Sequence, residues 1–170
     1  RTNLYSSLKS TYTIWKSRKI VSATEKSYRY SPIPVTPGLA FDTNLSSAYF
    51  GYSNGDSQGI VSLVGGPTLT LGTYSKPFLD YTKISIFSGA SVKQGGSPFA
   101  FDEVVDLATL GIGLSQQIAG PLLFNGGVEY NIDGGSDYYG KSIKSNIELR
   151  WQRRSYDIGI FYSPDKGMGG

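Results

Sequence analysis

The 170-residue chain contains no cysteine, no histidine and a single methionine. Without cysteine there is no disulfide framework and no thiolate zinc site. Without histidine there is no Ser-His or Cys-His nucleophile pair and no two-histidine metal centre. Charged residues are sparse, at 17%, but no run of 18 apolar residues occurs, which excludes a membrane-spanning helix. No long segment carries an apolar stripe at a 3.6-residue period. The chain opens at Arg1 with no signal-peptide pattern, as expected of a processed or truncated sequence. Most enzyme chemistry is thereby removed, leaving binding, pore or structural work, with no enzymatic activity and no cofactor expected.

What is present is glycine and aromatics: 22 Gly, 13 Tyr, 8 Phe and 2 Trp. Glycine at about 13% is nearly twice its usual share. The net charge of +3 is unevenly spread. Residues 1–30 hold seven basic side chains (Arg1, Lys9, Lys16, Arg18, Lys19, Lys26, Arg29) against Glu25. Residues 31–140 hold Lys76, Lys83 and Lys93 against nine acids, and residues 141–170 hold six bases against three acids. The basic front, interleaved with Tyr12, Trp15, Tyr28 and Tyr30, suits a solvated face or anionic lipid headgroups. A nucleic-acid partner is not expected.

Period-two alternation recurs along the chain and predicts strands. Over 38–52, Leu39, Phe41, Leu45 and Tyr49 alternate with Ala40, Asp42, Asn44, Ser46 and Ala48. Over 82–93, Ile84, Ile86, Ala90 and Val92 alternate with Lys83, Ser85, Phe87, Gly89 and Ser91. Segment 108–117 sets Leu110, Ile112 and Leu114 against Gly111, Gly113 and Ser115. Segment 123–133 sets Phe124, Val128, Tyr130 and Ile132 against Asn125, Glu129, Asn131 and Asp133. Near the end, Ile147, Leu149 and Trp151 alternate with Glu148, Arg150 and Gln152, followed by Tyr156, Ile158, Ile160 and Tyr162.

Further strands are expected at 4–16 and 60–73. Turn chemistry falls between them, as in Ser53-Asn54-Gly55-Asp56, Gln94-Gly95-Gly96-Ser97-Pro98, Ala119-Gly120-Pro121 and Gln152-Arg153-Arg154. The expectation is an all-β antiparallel meander of about eight strands in one region, 1–170. Residues 17–37, with Pro32, Pro34 and Pro37, read as a long loop or a broken strand.

Such strands have one apolar and one polar face, which serves either a soluble barrel with an apolar interior or a membrane barrel turned the other way. Charges on the polar face would be costly in a soluble core. Tyr and Trp gather near strand ends, as in the aromatic belts of a membrane barrel, and about ten residues of tilted strand span a bilayer. Within a membrane barrel, Asp42, Asn44, Glu129, Asn131, Asp133, Glu148, Arg150 and Gln152 are the lumen-facing candidates for a substrate path. Tyr49, Tyr52, Tyr130, Trp151, Tyr156 and Tyr162 are the candidates for the lipid face or aromatic girdle.

The run Gly120-Pro121-Leu122-Leu123-Phe124 through Tyr130-Asn131-Ile132-Asp133, followed by Glu148-Leu149-Arg150-Trp151-Gln152-Arg153-Arg154-Ser155-Tyr156-Asp157-Ile158 and Phe161-Tyr162-Ser163-Pro164, resembles the C-terminal barrel segment of cyanobacterial LptD-like lipopolysaccharide-assembly proteins. Phe50-Gly51-Tyr52-Ser53, Gly65-Gly66-Pro67 through Tyr81, and Ser97-Pro98-Phe99-Ala100-Phe101-Asp102 also fit, so the resemblance covers most of 38–165. It implies an outer-membrane β-barrel, in a cyanobacterial outer membrane or a plastid envelope descended from one. Its partners would be membrane lipids, lipopolysaccharide and periplasmic bridge proteins. The family's members are several times longer, so this chain is expected to be part of a larger barrel. The alternatives are a general porin or small eight-stranded barrel, and a soluble lipocalin-like binding barrel.

Asp102, Glu103 and Asp106 form the tightest acidic group and are read as a solvated loop or an extracellular cation-binding loop rather than a glycosidase pair. Asp133-Gly134-Gly135-Ser136-Asp137 lacks regular calcium-ligand spacing and is read as a polar hairpin tip, and no metal is expected. The glycine pairs lack the Lys-Ser/Thr of a phosphate loop.

Overall fold

The computed structural model describes residues 2–17, 30, 35–99 and 107–169. Strands form where β-branched and aromatic residues alternate with small polar ones, and most end at glycine, proline or Asx turns, β7 ending instead at Arg153-Arg154. They are β1 (Thr2–Lys16), β2 (Gly38–Gly51), β3 (Ser57–Leu71), β4 (Thr82–Gly95), β5 (Ala108–Ala119), β6 (Leu122–Asn131), β7 (Ser142–Gln152), β8 (Asp157–Ser163) and β9 (Met168–Gly169). All nine pair in sequence order into one antiparallel sheet, which is not closed on itself. The expected all-β meander is therefore the fold, with a two-residue ninth strand that periodicity could not register.

Two expectations need correction. β6 stops at Asn131, so Ile132 and Asp133 leave the strand; the Asn131 side-chain oxygen accepts the Asp133 N–H at 2.7 Å and turns the chain. The third strand runs from Ser57 to Leu71 rather than over 60–73. The acidic group Asp102, Glu103 and Asp106, most of the 17–37 loop and the basic residues Arg1, Arg18, Lys19, Lys26 and Arg29 lie outside the described residues.

Register carries the alternation across the sheet. One row of paired residues runs Trp15, Leu39, Leu69, Ile84, Leu114, Gly126, Ile147 and Tyr162 through eight strands. Trp15 lies one residue from the end of β1, whereas Tyr162 lies one residue from the opposite end of the sheet. The strands are thus staggered, by roughly one residue per step. With a rise of about 3.3 Å and a spacing of about 4.8 Å, that stagger corresponds to a tilt of about 35–40°, the slope of strands in a barrel wall.

Burial is inverted relative to a water-soluble domain. Among the described residues, Tyr74 is the buried hydrophobic side chain, while the fully buried large side chains are the polar Gln58, Gln117 and Asn131. Leu8, Leu45, Leu63, Ile86, Ile112 and Ile147 all lie exposed on the apolar face. The accessible surface is 11088 Å², against about 8,000 Å² for a compact monomer of this mass. Along β4 and β5, polar-face residues such as Phe87, Gly89, Gly111 and Gln117 are more covered than their apolar-face neighbours Ile86, Val92, Ile112 and Ile118. The sheet therefore curls toward its polar side.

Candidate functional site

The concave polar face begins at β1–β3, where Asp42 joins three strands. Thr11 Oγ1 donates to Asp42 Oδ1 at 2.7 Å, and Thr68 Oγ1 donates to Asp42 Oδ2 at 2.9 Å. Both carboxylate oxygens thus have a hydroxyl partner, which offsets much of the cost of holding a charge on a partly enclosed surface. Beside this tie lies a groove of about 380 Å³, lined in part by Lys9, Asn44, Lys83 and Phe87.

Further along the sheet, Asn125 Nδ2 donates to Glu148 Oε2 at 2.8 Å. The Arg150 guanidinium lies 3.7 Å from Glu148 and 3.1 Å from Asp157. This network links β6, β7 and β8 across the polar face. Because these side chains are partly exposed, it is worth little as stability and more as a fixed polar lining.

At the end of the sheet where β3 meets β4, residues 72–81 fold back over β5. The Asp80 carboxylate accepts Ser75 N–H at 2.9 Å and Lys76 N–H at 3.3 Å, with the Thr73 and Ser75 hydroxyls beside it. Burial pushes its pKa up, but the hydrogen bonds from Ser75, Lys76 and Thr73 and the nearby Lys76 charge outweigh this and hold it below the ordinary carboxylate value. The Tyr74 ring packs edge-on against Tyr81 at 5.2 Å, and burial, with a smaller contribution from Tyr81, pushes its phenol up to about 12. Tyr74 and Leu79 both adopt positive φ, at 59° and 46°. Phe78 and Leu79 project from the loop, well exposed.

The structure puts the lumen candidates Asp42, Asn44, Glu129, Asn131, Glu148, Arg150 and Gln152 on this polar side of the sheet, spread over β2, β6 and β7 rather than gathered in one cluster. Asp133 sits in the β6–β7 turn, where its Oδ1 accepts Gly135 N–H at 3.0 Å. Of the girdle candidates, Tyr49, Tyr130, Trp151 and Tyr162 lie on the apolar face, and Tyr52 and Tyr156 lie in turns. Arg153 stacks over the Trp151 ring at 5.7 Å.

Sequence reasoning named Lys83 and Phe87 only as part of an alternation and did not single out Thr11, Thr68, Lys144 or Asn146. Each sits on the polar parity of its strand, so strand phase could have placed them on this face. Only register shows that they adjoin one another. Among the described residues, no group of three or more acidic side chains could hold a metal ion, and no helix is long and apolar enough to cross a membrane.

A family model described as a protein of unknown function (DUF3769) matches residues 1–170. No curated protein and no solved structure matches the chain.

Proposed function

The chain belongs to the DUF3769 family, and we propose that it forms part of an outer-membrane β-barrel that moves lipopolysaccharide to the outer leaflet, without enzymatic activity. The observation that carries the membrane reading is the inverted burial. A sheet that exposes its aliphatic side chains and encloses Gln58, Gln117 and Asn131 suits lipid outside and water inside. A soluble lipocalin-like barrel requires the opposite polarity, because it buries its apolar face.

The tilted register supports the same reading. Following the stagger, Tyr12, Phe41, Phe124 and Trp151 fall toward one edge of the apolar face, and Tyr49, Tyr130 and Tyr162 toward the other. Leu8, Leu45, Leu63, Ile86, Ile112 and Ile147 occupy the band between them. Aromatic belts flanking an aliphatic band suit the two interfaces of a bilayer. Strands of 10 to 15 residues, as in β1 to β7, suffice to cross an apolar band of about 25 Å at this tilt.

Lipid export rather than general diffusion rests on the resemblance of residues 120–133 and 148–164 to lipopolysaccharide-assembly barrels. Substrate release and docking to periplasmic bridge proteins belong to that same resemblance. A polar lining of small side chains and scattered charges suits the passage of a polar headgroup through weak, exchangeable contacts.

The test is fractionation of source cells combined with replacement of Glu148 and Arg150 by leucine. The reading expects the protein in the outer membrane, with the double variant assembled there but delivering less lipopolysaccharide to the surface. A soluble-fraction protein overturns the membrane assignment. Unchanged delivery removes these two residues from the path, and ion conductance in a planar bilayer without any effect on lipid delivery points to a porin.

A further inference from the structure

Across β4 to β7 the polar face is a small grid set by register. Its first row is Lys83, Ser115, Asn125 and Glu148, its second Ser85, Gly113, Gly127 and Asn146, and its third Phe87, Gly111, Glu129 and Lys144. The paired glycines Gly113 and Gly127 bring no side chain to the centre, where Ser85 and Asn146 reach toward them, and a pit of about 320 Å³ opens there. That volume lies at the small end of the range for small-molecule sites.

The walls differ from one another in chemistry. Phe87 supplies an aromatic ring seated across Gly111, in the space an added Cβ would need. Asn125 and Glu148 are bonded to each other, whereas Lys83, Glu129 and Lys144 make no hydrogen bond or ion pair among the described residues. The pit thus offers a ring face, hydroxyls, amides, the Glu129 carboxylate and two ammonium groups, of which Lys83 also borders the groove beside Asp42 and acts on its charge.

We infer that this glycine-floored pit is a binding site for a saccharide unit bearing an acidic substituent. Sugar C–H faces pack against an aromatic ring, and sugar hydroxyls match a mixture of amide, hydroxyl and carboxylate partners. Lys83 and Lys144, at opposite corners of the pit, each offer an ammonium group to a phosphate or carboxylate substituent at their own end. The inference deepens the transport reading by naming the part of the cargo that this face contacts, and it rests on that reading for the cargo's identity.

The glycines provide the test. A Cβ at Gly127 would meet Asn146 Oδ1 at 2.9 Å, and one at Gly113 would meet Ser85 Oγ at 2.7 Å. Both are ends of small side chains that can turn away, so Gly127→Val fills the pit without breaking the sheet. The full-length protein in detergent is titrated with glucosamine 6-phosphate, glucose and inorganic phosphate, followed by saturation-transfer NMR on the sugar ring protons.

The expected result is measurable binding of the phosphosugar, about tenfold weaker in Gly127→Val and in Lys83→Ala/Lys144→Ala. Phe87→Ala should weaken glucose and the phosphosugar alike. Should the valine variant fail to fold, the lysine and Phe87 variants decide, since those side chains lie on the surface of the pit. Undiminished binding in folded variants overturns the inference, as does inorganic phosphate competing as well as the phosphosugar. An outer-membrane protein without saccharide affinity sinks the pit alone. A saccharide-binding protein found in the soluble fraction sinks the transport reading alone.

Discussion

The backbone N–H of Asp80 donates to Oε1 of Gln117 at 2.9 Å, joining two residues 37 positions apart in sequence. The same Gln117 side chain donates from Nε2 to the carbonyl of Lys76 at 2.8 Å and to that of Gly120 at 3.0 Å. One fully buried amide therefore pins the β3–β4 loop to the β5–β6 turn. Gly120 N–H bonding to the Pro77 carbonyl at 2.6 Å closes the junction.

Replacing Gln117 with alanine leaves the Asp80 N–H and two carbonyls short of partners in a covered site. The expected cost is about 1–3 kcal/mol. Urea denaturation in detergent measures it, and limited proteolysis should show new cleavage between Thr73 and Asp80 while the strands stay protected.

The loop should also respond to acid. The Asp80 carboxyl is held below the ordinary carboxylate value, so its contribution is fully present above about pH 4 and is lost as pH falls through its folded-state value. Hydrogen exchange at the Ser75 and Lys76 amides should be slow at pH 6 and, after correction for intrinsic rates, faster well below pH 4. Asp80→Asn should abolish that pH dependence.

Gly111 faces Phe87 across β4 and β5, and a Cβ there would enter the ring. Gly111→Ala should cost about 1–3 kcal/mol through overpacking. Because the ring is the obstacle, Phe87→Ala in the same chain should recover part of the loss. A double-mutant cycle read by thermal denaturation measures the coupling.

Ile112 is exposed in the middle of the apolar face. In a lipid-facing position Ile112→Lys should destabilise the folded, inserted state by about 2–4 kcal/mol, whereas Asn146→Lys on the polar face should change it by about 0.5 kcal/mol or less. Refolding into lipid vesicles compares the two. Equal tolerance of both charges would argue that the apolar face meets water.

The strands were legible because alternation is local. Leu39, Phe41 and Leu45 against Asp42 and Asn44, or Ile147 and Leu149 against Glu148 and Arg150, reveal both strand and face without any partner. Ends were less legible. Ile132 continues the alternation, yet the Asn131 side chain captures the Asp133 N–H and stops β6. The site was legible only in part. Asp42 and Glu148 could be assigned to the polar face, but not Thr11 and Thr68 to Asp42, or Lys83 to the row of Asn125 and Glu148. Pairing depends on loop lengths and on irregularities such as those between Thr13 and Trp15 and between Gln117 and Ala119. Nor does alternation reveal the role of Gln117, whose three partners lie in a loop and a turn.

The sequence by itself determined that this is a chain of two-faced strands without thiol or imidazole chemistry, because side-chain period and composition are properties of each segment alone. The tertiary structure decided which face is the more covered, how the strands are staggered, and that Gly113 and Gly127 meet between Ser85 and Asn146. Those facts depend on register, which joins residues distant in sequence, and a slip of one residue would send every side chain of a strand to the opposite face.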